Sequence, residues 1–142
     1  MGDISEVYGC IVGASFYPQV KAMHELNRQR IAALPETDSW PYLTRDMFAL
    51  PREEHNYGTQ VIPFAASYNQ VERAWEQWLT KFEALLSMMY LDAAYVHLHT
   101  QFRGKYSYTW KPSGEPGRIP VSDNLPPPFP VVFSGGPRVI PI

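Results

Sequence analysis

The chain has 142 residues, 45% of them apolar and 14% aromatic, with twelve Lys and Arg against fourteen Asp and Glu for a net charge of −2. That length fits one domain with one core. The composition excludes intrinsic disorder, the near-neutral charge gives a nucleic-acid backbone or an anionic membrane no electrostatic handle, and the single Cys10 rules out an internal disulfide.

The opening residues lack a basic region and a long apolar stretch, and no segment reaches the roughly 18 apolar residues of a membrane span, so a cytoplasmic location is the default expectation. Val7 to Phe16 is rich in Val, Ile and aromatic residues with Gly9 and Gly13 interspersed, which predicts a strand buried on both sides. Cys10 within it reads as a small buried hydrophobe. From Gln19 to Leu34, the residues Val20, Met23, Asn27, Ile31 and Leu34 share a helical stripe that Pro35 ends. His24 on that helix reads as a surface or boundary residue. Thr37 to Pro51 reads as a compact aromatic connector with one short helical turn, and Arg52 to Gly58 as a polar loop.

Thr59 to Tyr68 predicts a second strand, placed at a sheet edge because Pro63 cannot donate to a ladder. The next segment is the most regular in the chain. Asn69 with Glu72 outlines a capping box, and Val71, Trp75, Trp78, Leu79, Phe82, Leu85, Leu86 and Met89 recur at three- and four-residue steps, with Glu72, Arg73, Glu76, Gln77 and Lys81 on the water side. Tyr95 to Phe102 and Lys105 to Lys111 then read as a hairpin turning at Arg103-Gly104. Pairing Phe102 with Lys105 sets His97 against Trp110, His99 against Tyr108 and Gln101 against Tyr106, so that one face carries imidazoles and aromatic rings together. Whatever the register, His97 and His99 share a side.

Nine of the fourteen prolines lie in the last 31 residues, which argues against regular structure there. Phe129, Val131, Val132, Phe133, Val139, Ile140 and Ile142 are too apolar for a solvated tail, so residues 112–142 are expected as a proline-rich arm packed on a domain spanning residues 1–111. The fold class is α+β: an antiparallel or mixed sheet of about four strands with two helices packed on one face.

The chain holds no nucleophile elbow, no phosphate-cradling loop and no cofactor-binding motif. His97 and His99, with His55 or Glu53 and Glu54, form the one pattern compatible with a metal site, and Glu53, Glu54, Asp92, Asp38 and Asp46 are the carboxylates on which acid-base chemistry could draw. The alternatives are a hydrogen-bonded structural pair and a partner-binding patch.

The stretch VERAWEQWLTKFEALLSMM followed by AYVHLHTQFRGKYSYTW, in a small, mildly acidic chain, resembles the immunity proteins that neutralise interbacterial toxins. The resemblance spans the second half of the chain and is one of type. It implies a non-enzymatic protein that binds a cognate toxin and occludes its active site, without cofactor or metal. No residue is carried over from the resemblance; the residue types themselves place the expected partner contacts at Glu53, Glu54, Asp92, His97, His99, Arg103, Tyr106 and Tyr108. A small enzyme built on His97 and His99 and a subunit of a homo-oligomer are the competing classes.

Overall fold

A computed structural model describes residues 3–15, 19–50, 59–113 and 125–142. Five strands, β1 (Ile4–Gly13), β2 (Val61–Asn69), β3 (Leu91–His99), β4 (Lys105–Pro112) and β5 (Val131–Gly135), form one antiparallel sheet in the order β2-β1-β3-β4-β5. Two helices accompany it, α1 (Val20–Ala32) and α2 (Trp75–Leu86). The α+β class stands, with five strands in place of about four.

Registers fix which residues share a face. Val7 lies between Ala66 and Leu98, Ile11 between Ile62 and Ala94, Val96 opposite Tyr108, and Trp110 between Ala94 and Phe133. All of these point to the helical side, where α2 lays Trp75, Trp78, Leu79, Phe82, Leu85 and Leu86 over them. Each buried side chain contributes about 1.5–3 kcal/mol. Trp75 and Trp78 stack with ring centroids 4.9 Å apart, and Phe82 meets Trp110 edge-on at 5.2 Å. The helical stripe read from the sequence is the core.

On α1, Met23, Asn27 and Ile31 are buried, and Ile31 joins the same core cluster as α2. Asn27 is satisfied on both sides of its amide. Its Nδ2 donates to Gln60 Oε1 and Tyr90 O, and its Oδ1 accepts from Tyr90 N. A helix can bury an amide at this cost only when every polar atom finds such a partner. The connector holds a single 3-10 turn, Arg45–Met47. Lys81, expected in water, ties that connector to α2 by donating to Asp38 Oδ2 at 2.7 Å and to the carbonyls of Ser39 and Pro41.

Several local expectations are overturned. The first strand begins at Ile4 and its burial alternates, so it is covered on one side only. Asn69 closes β2 instead of capping a helix; Gln70 then turns through the left-handed region at φ 55°, and Val71–Ala74 is a 3-10 segment leading into α2. The cap comes from another strand: Val71 N donates to Ser5 Oγ at 3.0 Å. Glu72 is 5% exposed, not solvated, and its Oε1 has no hydrogen-bond partner among the described residues.

The hairpin register also differs, because His99, not Phe102, pairs with Lys105. Thr100 sets the longer turn. Its Oγ1 accepts from Arg103 N and donates to Gly104 O, and its own N–H donates to Gly104 O as well. Gly104 there takes φ +96°, which other residues rarely adopt. An odd offset moves every side chain of one strand to the other face. Val96 and Leu98 therefore meet Tyr108 and Tyr106, while His97 faces Ser107.

Residues 131–135 are strand β5, where the proline content predicted no regular structure. Beyond it, Ile140 is 3% exposed in the core cluster, Tyr108 donates to Pro137 O, and Arg138 pairs with Glu83 on α2. Glu53, Glu54 and His55 lie outside the described residues.

Candidate functional site: the uncovered sheet face

Because alternate residues of each strand point away from the helices, the sheet has a second face. On it stand Glu6, Tyr8, Cys10 and Val12 of β1, Tyr95, His97 and His99 of β3, and Lys105, Ser107 and Thr109 of β4. Tyr8 and Tyr95 are each 37% exposed, and Ile4, Val61 and Val132 at its margins are exposed apolar residues. An antiparallel sheet tolerates one wet face. This one is wet but aromatic.

At its centre Tyr8 sits between the two histidines. Its ring centroid is 5.2 Å from that of His97 and 5.1 Å from that of His99, the second in edge-on geometry. The Tyr8 hydroxyl and His99 Nε2 share a hydrogen bond of 2.9 Å, and His97 Nδ1 shares one of 2.9 Å with Ser107 Oγ. Registers set this up: Tyr8 opposes His97 directly, and His99 lies between Glu6 and Lys105. The rings are thus held by cross-strand partners.

Cys10 stands beside this group, opposite Tyr95, and is half-buried. Burial pushes its thiol pKa up, which disfavours the nucleophilic thiolate. Among the described residues, no three His, Cys, Asp or Glu gather as metal ligands would, and no helix is long and apolar enough to cross a membrane. A cavity of about 20 Å³ between Met23, Tyr90 and Pro126 is on the scale of a single water.

The residues expected to act together are only partly assembled. His97 and His99 are on the uncovered face, and Arg103 is exposed at the hairpin tip. Tyr108 is not with them: it is 1% exposed on the helical side, donates to Pro137 O at 2.6 Å, and burial pushes its pKa up to about 12. Tyr106 is half-buried on that same side and donates to Arg103 O. Asp92 accepts from Ser15 Oγ and is half-buried. Tyr8, Tyr95, Ser107 and Lys105 were not foreseen as a group with the histidines; the period-two pattern from Ile4 to Val12 was the signal for Tyr8.

Comparison with protein-family models, with curated proteins and with solved structures returned no match. The function is therefore argued from the site's own geometry.

Proposed function

We propose that this chain is a non-enzymatic protein-binding module whose uncovered sheet face docks a protein partner, most concretely a cognate toxin whose active site it occludes. The observation that carries this reading is the ring cluster of Tyr8, His97 and His99, held on an exposed face by the hydrogen bonds to each other and to Ser107. Side chains already fixed lose little conformational entropy on docking. Tyrosines of this kind carry much of the energy of protein interfaces. Lys105 and Arg103 at one end of the face supply rim charge that sets orientation and association rate.

The resemblance in type to immunity proteins rests on α2 and the hairpin, and the wet aromatic face lies on that hairpin and on β1. The competing enzyme reading takes His97 and His99 as ligands or as an acid-base pair. Metal analysis of the purified chain separates the two. Stoichiometric zinc, iron or manganese that disappears in His97→Ala refutes the binding-module reading; metal below about one-tenth of an equivalent removes the metal-ligand form of the enzyme reading and leaves the binding module standing.

A further inference from the structure

The turn of the β3–β4 hairpin carries a side chain that the fold does not use. Between the last paired residues, His99 and Lys105, the chain runs through residues 100–104 and places Phe102 at the apex. Phe102 is 70% exposed, more than any other large apolar side chain among the described residues, and it belongs to neither core cluster. Its backbone is nonetheless pinned. Thr100 N and Thr100 Oγ1 both donate to Gly104 O, at 3.0 and 2.7 Å, and Thr100 Oγ1 accepts from Arg103 N at 2.7 Å. Tyr106, half-buried against the core, donates its hydroxyl to Arg103 O, and Gln101 Oε1 accepts from Ile4 N of β1 at 3.1 Å. Hydrogen bonds on both sides of Phe102 thus tie the turn to the sheet.

The charge beside that ring has one sign. Arg103 and Lys105 are exposed on either side of Gly104, and neither forms an ion pair with a described carboxylate. Residues 100–112 contain no Asp or Glu. Glu6, the acid of the uncovered face, stands on β1, on the far side of His99 from Lys105. A convex turn with one apolar ring and two free cations is complementary to a concave apolar pocket that has carboxylates at its mouth.

We infer that Phe102 is the anchor this hairpin inserts into an apolar, acid-rimmed pocket of the protein partner, with Arg103 and Lys105 pairing with carboxylates at the pocket's mouth. This rests on the protein-binding reading above and adds which part of the chain enters the partner and what chemistry receives it. An enclosed aromatic ring removes about 150–250 Å² from water, and a few such anchors carry most of the energy of an interface. Little conformational entropy is lost, because the turn's hydrogen bonds already hold its backbone. The tip adjoins the His99–Lys105 pair at one end of the face that bears Tyr8 and His97, so one partner reaches both. An anionic lipid surface gains only about fivefold per cation, too little for two cations and one ring to hold the chain there.

Calorimetric titration of the full chain against the product of the reading frame beside its own gene tests it. Three variants run in parallel: Phe102→Ala, the charge reversal Arg103→Glu with Lys105→Glu, and the face variant Tyr8→Ala with His97→Ala. Phe102→Ala should weaken binding at least about thirtyfold. The charge reversal should weaken it at least about tenfold and abolish the parent's loss of affinity in added salt. Phe102, Arg103 and Lys105 are exposed, so circular dichroism of their variants should match the parent's. If Phe102→Ala or the charge reversal binds as tightly as the parent while the face variant weakens, the inference is overturned and the docking face stands. If the parent does not bind, or all three variants bind as the parent does, the protein-binding reading and the inference fall together. Two other results also overturn it: binding to vesicles of about one-third phosphatidylserine that Phe102→Ala abolishes, which makes the tip a membrane anchor, and a dimer that Phe102→Ala abolishes, which places the pocket on a second copy.

Discussion

Arg138, four residues from the C-terminus, forms a two-pronged ion pair with Glu83 on α2, through Nη2 to Oε1 at 2.6 Å and Nη1 to Oε2 at 3.1 Å. Trp110 Nε1 donates to the same carboxylate at 2.9 Å, and the guanidinium lies 5.1 Å from the centroid of the Phe133 ring. One carboxylate thereby joins α2, β4 and the segment that follows β5. Burial pushes the Glu83 pKa up, but the hydrogen bonds from Arg138 and Trp110 outweigh it and hold the carboxyl below its ordinary value of 4.5.

A pKa lowered on folding means that stability is present above the ordinary value and is lost as pH falls through the folded-state value. Calorimetry should therefore show the melting temperature falling once the pH drops below about 4.5. Glu83→Gln should show less of that acid dependence and, near neutral pH, a loss of about 1 kcal/mol, modest because the pair is partly exposed. Identical acid profiles for the two proteins would remove Glu83 from the account.

Ser5 caps the segment leading into α2 although 66 positions separate it from Val71. Ser5→Ala leaves the Val71 N–H buried without its acceptor, and chemical denaturation should register a loss of about 1–2 kcal/mol. A change within about 0.3 kcal/mol would show that the bond is not needed.

Two glycines should respond differently to Ala. At Gly9 an added Cβ would stand 1.8 Å from the Tyr95 carbonyl oxygen, so the β1–β3 ladder must open and the loss should exceed about 2 kcal/mol. At Gly104 the nearest atom is the Tyr106 hydroxyl at 3.5 Å, and only the positive φ resists, for about 1 kcal/mol. Thermal unfolding of the two variants ranks them, and the reverse order would contradict the register around Gly9.

What the sequence made legible was periodicity over length. The stripe Trp75, Trp78, Leu79, Phe82, Leu85, Leu86 spans three turns and could face only a core, and Met23, Asn27 and Ile31 do the same on α1. What it concealed depended on single side chains acting across the chain. The hydroxyl of Thr100 lengthened the hairpin turn, and an odd offset sent Tyr108 to the core and left the histidines with Ser107. Ser5 replaced Asn69 as the cap, which no local pattern announces. Tyr8 joined the histidines because β1 pairs with β3, which brings it to His99 across 91 positions of chain. The strand β5 lay hidden because prolines crowd around it, yet none falls within Val131–Gly135.

The role of the uncovered face is tested most directly by titrating the chain calorimetrically against the product of the reading frame beside its own gene, in parallel with the double variant Tyr8→Ala, His97→Ala. Both substitutions sit on the wet face, so the variant should keep the parent's far-ultraviolet circular dichroism while its affinity falls by about 2 kcal/mol or more, roughly thirtyfold. Equal affinity of the variant and the parent for that protein would contradict the account, because the partner would then dock elsewhere.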